Sequence, residues 1–523
     1  MISPHLQKLF GGISQLQADE DWSSHGGPRF VTNQITSKVS SFYERLRYVV
    51  DYHEEHMLRR AAIERILRRL VLFGFQEKTG RELLEELVRA RYVDNDVLPE
   101  DVSKDVHAII EKYARLEKTL SNDGGTLWSY AAVEIERHLF PTPIDELTFQ
   151  ALFNIVKNDF APKQAGSISE KAFALQVYIA CRRVFMRESH AALNYSLFLK
   201  MFPEWKHLYQ DDVAIYQKIA NNFTRVQAEI YSLTKSRVQW SIAARLKNEG
   251  IYFNVIRDIV KNHGRDAELI FADSGRLETV VADMMGKTYR SHTDKITRSG
   301  TRAILYILIT KVIIGLAVEL PYEVFVLQDV NYIALAINLA LFPILMVLMT
   351  KTVSYPDKKN TDKIIAGIQA MVRDTGETQK RQQYIAAGPR TLVQKFSYVV
   401  FFTTFFSLTF GAILYVLSVL HFNYASVILF LLFLCIVTYM GLHIRSKARE
   451  WTIEAEDESF FGLLSYLLLL PITSSGQWIS QKLSSMNIFV FFMDFILETP
   501  FKVMLSSFDA FISYTKELKR DGI

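Results

Sequence analysis

Five polar residues lie within or beside the long apolar runs of the second half of the chain: Lys311, Glu319, Asn338, Asp494 and Glu498. In that setting a lysine and a carboxylate can carry a proton, hold an ion of opposite charge, or neutralise one another. A charge at bilayer depth costs on the order of 2.5 to 3.5 kcal/mol on insertion scales, so each one needs a physical reason. Lys311 stands eight residues after Ala303, about 12 Å along a helix. A lysine stem covers part of that distance by reaching back to the membrane surface. Glu319 follows two turns later near the same helical face. A pairing of Lys311 with Asp494 across helices would make the group a structural clasp or part of a solute path. A lysine that reaches the interface, or a structural pair, is the simpler expectation.

No other constellation carries chemistry. In His53-Glu54-Glu55-His56 the histidines are three apart, whereas a zinc-binding helix face needs them four apart. Gly286-Lys287-Thr288 ends like a phosphate loop, but Val281 stands where its first glycine is required. There is no G-x-S-x-G elbow and no dinucleotide fingerprint. Cys181 and Cys435 read as separate, buried, small apolar side chains. No catalytic residue, cofactor or metal ligand is expected.

The elements that must position the polar residues follow from charge patterning. From Ala303 onward there are 18 Lys+Arg and 17 Asp+Glu in 221 residues, against 42 and 39 in residues 1 to 302. A densely charged half followed by long uncharged runs marks a soluble domain and then a membrane domain. Neither half carries enough net charge to indicate a nucleic-acid partner. The N-terminus has Asp19, Glu20 and Asp21 and no basic cluster before an apolar core, so the first half is expected to stay where it is made.

Lys287, Arg290, Lys295, Arg298 and Arg302 precede the run Ala303 to Leu320, against the single acid Asp294, which places the preceding residues in the cytosol. Glu319, Glu323 and Asp329 then fall in an external connection. Tyr332 to Thr350 returns, and residues 351 to 395 form a cytosolic loop with nine basic and four acidic residues. Phe396 to Leu420 and Ala425 to Ile444 are the third and fourth spans, followed by Arg445, Lys447 and Arg449. Residues 459 to 497 either add two spans, for six in all, or form a re-entrant hairpin; two spans is the preferred reading. Amphipathic helices are expected near 361–373, at the membrane surface or equally packed onto the cytosolic bundle, and near 500–518, at the membrane surface through Phe501, Met504, Phe508 and Phe511.

The soluble half shows the three-to-four residue apolar period of helices and no convincing strand alternation, so the expected fold class is all-α. Residues 1–30 read as a flexible arm or loosely docked segment, 31–300 as a cytosolic helical bundle and 301–523 as a polytopic membrane domain. Long helices are expected over Phe30 to Phe73 and Asp211 to Glu249. Arg59, Arg60, Arg65, Arg68 and Arg69 alternate with Glu54, Glu55 and Glu64, as on a solvated, partly ion-paired face.

Leu341-Phe342-Pro343-Ile344-Leu345-Met346 with Asn360-Thr361-Asp362-Lys363-Ile364, and Leu470-Pro471-Ile472 through Asn487-Ile488 to Glu498-Thr499-Pro500-Phe501-Lys502, resemble stretches of uncharacterised bacterial multi-pass membrane proteins. The resemblance covers the membrane half, implies a bacterial inner-membrane setting, and brings no activity. The function expected from these features is a non-enzymatic scaffold or assembly factor that holds a protein partner on its cytosolic domain, with the lipid bilayer and a second copy of the chain as further partners. The alternative is a transporter or channel that uses Lys311, Glu319 and Asp494.

Overall fold

Helix forms where apolar residues recur at the helical period, and Ser169, Ser189, Ser236, Asp273 and Asn423 cap the helices that follow them. The computed structural model describes residues 2–15, 26–31, 55–72, 74, 76–120, 125–163, 168–208, 212–328, 331–351, 356–373, 383–386, 392–453 and 460–485. The chain divides into two units, Met1–Ala272 with Ala370–Gly388 and Thr499–Ile523, and Asp273–Gln369 with Pro389–Glu498.

The first unit contains α1 (Pro4–Gln15), α2 (Glu55–Leu72), α3 (Thr79–Arg89), α4 (Val102–Thr119), α5 (Thr126–Leu139), α6 (Pro143–Val156), β1 (Phe160–Pro162), α7 (Glu170–Phe185), α8 (His190–Met201), α9 (Val213–Lys235), α10 (Arg237–Arg245), α11 (Lys247–His263) and α12 (Ala267–Ala272). Residues 4–15, expected in a flexible arm or loosely docked segment, form a docked helix. Leu6, Leu9, Phe10 and Ile13 are buried, α1 packs on α6, and Phe10 lies 5.6 Å from the Phe271 ring. Phe30 is not helical: its N–H donates to Leu98 O at 3.0 Å beside an isolated bridge. The remainder of the helix expected before Glu55 lies outside the described residues.

The uninterrupted helix expected from Asp211 to Glu249 breaks at Ser236, which has extended backbone and accepts from Val238 N at 3.3 Å. A serine side chain offers the backbone this alternative to helix continuation, and neither glycine nor proline is required. Arginines of α2 are drawn inward more than a solvated face implies. Arg60 pairs with Glu136 at 3.2 Å, and Arg68 binds Glu64, Gly125 O and Ser129.

The second unit begins with α13 (Ser274–Ile314), whose Asp273 cap accepts from Gly275 N and Arg276 N. This helix continues through two π-helical stretches, Gly315–Glu319 and Tyr322–Leu327, as one 54-residue helix to Leu327. α14 (Tyr332–Lys351), α15 (Lys358–Val372), β2 (Gln383–Ile385, in the first unit), α16 (Leu392–Val419), α17 (Tyr424–Ala448) and α18 (Phe460–Ser485) follow. Four helices, Ser274–Leu327, α14, α16 and α17, are long and apolar enough to cross a membrane. Residues 460–485 form one helix with Pro471 inside it, and the second leg of either expected arrangement lies outside the described residues. The only strands among the described residues are β1 and β2, paired in parallel with Phe160 opposite Gln383. They qualify the all-α expectation and make residues 383–385 part of the first unit.

α15, read as lying under a bilayer or packing onto the helical bundle, has its apolar residues Ile364, Ile365, Ile368, Met371 and Val372 all buried. On its polar side Asn360 donates to the Tyr289 hydroxyl at 2.8 Å, and Gln369 to the Ser274 hydroxyl at 3.0 Å. α13, α14 and α17 pack together around Ile307, Phe342, Met346, Phe430, Phe433 and Val437, and α18 packs on α16 and α17.

Two glycines at these contacts differ in what faces them. A Cβ at Gly476 would overlap the Cys435 carbonyl oxygen and lie 2.7 Å from Tyr439 Cβ, whereas one at Gly441 would meet the flexible end of Met349. Gly476→Ala should cost about 1 to 3 kcal/mol through overpacking. Gly441→Ala should cost less than about 1 kcal/mol because methionine moves aside easily. Thermal midpoints of the detergent-solubilised variants check this order; equal midpoints would refute it.

Candidate functional site

Lys311, Gly315, Glu319 and Glu323 recur every fourth residue along the first of the four long apolar helices. Four residues are slightly more than one α-helical turn and less than one turn of the wider π-helix. The change of helix type at Gly315 therefore holds the four positions near one line. Glutamate at 319 leans toward the helix N-terminus, as side chains do, and Gly315 leaves the intervening space open: an added Cβ would be 3.6 Å from Glu319 Oε2.

Across that space Lys311 Nζ lies 3.7 Å from Glu319 Oε2, with the two side chains 0% and 1% exposed. Its ammonium makes no hydrogen bond among the described residues and stands 4.6 Å from the Phe433 ring centre and 5.6 Å from that of Phe342, within cation–π range. Asn338 of α14, fully buried, donates from Nδ2 to Glu319 Oε1, while its Oδ1 has no hydrogen-bond partner among the described residues. Of the two simpler readings, reach to the interface or a structural pair, the arrangement is that of a pair: Lys311 Nζ faces Glu319 Oε2 rather than turning back along the helix. Its ammonium is directed onward to Glu319, because a second buried charge lies within its reach there. Three of the sequence-selected residues thus meet; Asp494, Glu498, Phe501, Met504, Phe508 and Phe511 lie outside the described residues.

The cluster continues toward the α13–α14 connection through residues that sequence reasoning missed. Glu323 is buried, and its Oε1 accepts from Asn423 Nδ2 at 2.7 Å. Asn423 Oδ1 in turn caps α17 by accepting from Ser426 N at 2.8 Å. Asn331 caps α14 through Ala334 N at 3.0 Å and donates to His421 O at 3.2 Å. An asparagine just before an apolar run is a readable helix-start signal. The four-residue spacing from Lys311 to Glu323 was equally visible.

A second buried polar cluster lies in the first unit. Glu134 of α5 accepts at Oε2 from the Tyr113 hydroxyl (2.6 Å), the Tyr195 hydroxyl (2.9 Å) and Trp205 Nε1 (3.2 Å), and at Oε1 from Lys112 Nζ. Every donor comes from a different helix from Glu134, so the carboxylate joins α4, α5, α8 and the 3-10 turn Pro203–His207. Burial first, and then the Glu134 charge, holds the Tyr113 and Tyr195 hydroxyls well above the ordinary tyrosine value of 10.0. A raised folded-state value means that the unfolded chain releases these protons first. Stability from this source is whole below about pH 10 and is lost as pH rises beyond it. The thermal midpoint should accordingly fall steeply between about pH 10 and 11, and more gently in Tyr113→Phe/Tyr195→Phe; parallel profiles would refute the assignment.

No protein-family model, curated protein or solved structure matches the chain.

Proposed function

We propose that the chain is a membrane transport protein whose working site is the Lys311–Glu319–Asn338 cluster, with Glu323 extending it toward the α13–α14 connection. The observation that carries this reading is an ammonium ion, wholly buried in a span, that has a carboxylate within 3.7 Å but no hydrogen bond among the described residues. Such a group is expensive at membrane depth and is by default a sign of function. The helix changes from α to π where the pair sits, and π stretches inside α-helices frequently accompany functional sites. Converting a π turn to an α turn would rotate Glu319 and Glu323 relative to Lys311, which supplies a movement without unfolding the span.

The test is a flux screen of inorganic ions and small charged solutes in proteoliposomes, with wild-type chain and Lys311→Leu/Glu319→Gln compared at equal incorporation. A flux present in wild type and abolished in the double variant supports the reading. Equal fluxes across the panel, or none, would overturn it.

A scaffold acting through the first unit is the second reading. It is favoured by two exposed aromatic side chains of adjoining helices, Tyr231 and Trp240, 58% and 54% exposed, each paired with a cation (Lys235 at 4.6 Å and Arg183 at 4.4 Å). Tyrosine, tryptophan and arginine dominate protein-binding hot spots. If this reading holds, a photo-crosslinking residue at 240 in the full chain gives one discrete adduct, lost on Tyr231→Ala; diffuse labelling would refute it.

A further inference from the structure

We infer that Glu319 and Asn338 form a site for a small monovalent cation, with the Lys311 ammonium occupying it as a tethered substitute. The inference rests on the transport reading and names its substrate class. Lys311 Nζ lies within ion-pair range of Glu319 Oε2 but makes no hydrogen bond among the described residues, so it fills the place of a counter-ion without being locked there. Asn338 presents its amide nitrogen to Glu319 Oε1 and leaves Oδ1 without a donor among the described residues, although fully buried. Rotating that amide by half a turn brings Oδ1 beside the carboxylate, giving two hard oxygen donors in one place, the ligand type alkali cations take. Gly315 keeps the adjoining volume clear of side chain.

Charge balance selects the ligand. The Lys311–Glu319 pair is neutral with Lys311 protonated, and a buried net charge is costly. When a monovalent cation enters, neutrality is kept if the Lys311 N–H bond breaks and its proton leaves, converting ammonium to neutral amine beside Phe342 and Phe433. One positive charge enters and one departs. A divalent cation would leave the Lys311–Glu319 pair one positive charge in excess; Glu323, the further buried carboxylate, has its Oε1 engaged by Asn423 Nδ2. Among the described residues the groups facing the exchange are few. Glu319 and Glu323 belong to the same helix, α14 contributes Asn338 and Phe342, and α17 contributes Phe433 and, at its start, Asn423. Cys435 of α17 turns its carbonyl to Gly476.

The experiment uses purified full chain in lipid nanodiscs in weakly buffered solution with a pH indicator. Sodium, lithium, potassium or choline chloride is added at constant ionic strength. The expected result is saturable release of about one proton per chain with at least one alkali cation, no release with choline, and no release from Glu319→Gln. Asn338→Leu, which keeps both charges, should shift the half-saturating concentration upward at least tenfold. Gel filtration identifies any variant that has not folded, and the comparison of alkali cations with choline needs wild type alone. Release equal in choline, release retained in Glu319→Gln, or no saturable release overturns the inference. In those cases a Lys311-dependent flux of another solute in the proteoliposome screen would leave the transport reading standing.

Discussion

Lys311→Leu is expected to lower the yield of folded chain sharply, and Lys311→Leu/Glu319→Gln to restore most of it. Two effects oppose one another in the single variant. If the helix crosses a membrane, removing its ammonium relieves about 3 kcal/mol on insertion scales. It also leaves the Glu319 carboxylate at 1% exposure with one amide donor, and stripping a buried pair of one partner costs about 3 to 5 kcal/mol. The second effect wins because Glu319 cannot reach water while Asn338 and the Phe342 and Phe433 rings enclose the pair. In the double variant both charges are absent, and the introduced glutamine can still exchange hydrogen bonds with Asn338. The measurement is the monodisperse fraction and thermal midpoint in detergent for the four members of the cycle. A single variant as stable as wild type would show that the two charges are uncoupled. A stable double variant that transports nothing separates the role of the charges in function from their role in folding.

The same cluster shows how far the sequence can be read. Charge patterning located the four long apolar helices, and Lys311, Glu319 and Asn338 were selected as costly intramembrane groups; the structure gathers those three around one point. What one-dimensional spacing could not supply was the partner. On an α-helix Lys311 and Glu319 are two turns apart, too far to suggest a pair; they meet where the helix changes to π geometry at Gly315. Long-range burial was hidden for a related reason. The apolar stripe of α15 fits a lipid surface or a protein surface equally well, and only the structure shows that protein covers it. Residues 4–15 were obscured by Gly11-Gly12, which suggested a flexible arm, although Leu6, Leu9, Phe10 and Ile13 already carried the helical period. In the first unit, Glu134 was unremarkable in sequence because its four donors come from three separate stretches of chain.

Glu134→Gln is expected to be the most damaging conservative substitution in the first unit. The carboxylate offers two oxygens to four donors, Lys112, Tyr113, Tyr195 and Trp205. A glutamine of nearly the same volume has one oxygen, and its amide hydrogens must point at donors on the other side. Lys112 then loses its ion-pair partner while its side chain is only 10% exposed, and Trp205, wholly buried, retains only the Tyr113 oxygen at 3.2 Å. Orphaning a buried charge and one or two neutral donors costs about 3 to 5 kcal/mol. For a unit of this size that lowers the melting midpoint by about 10 °C. Lys112→Met/Glu134→Gln should recover part of the loss, since the orphaned ammonium is gone, but not all of it, since the tyrosine and tryptophan donors still compete for one oxygen. Glu117→Gln provides the contrast: Glu117 accepts from Trp128 Nε1 at 2.8 Å, glutamine can accept the same bond, and the midpoint should move by less than about 2 °C. If the two single substitutions shift the midpoint equally, the Glu134 cluster does not hold these helices together, and the alkaline sensitivity assigned to Tyr113 and Tyr195 must have another source.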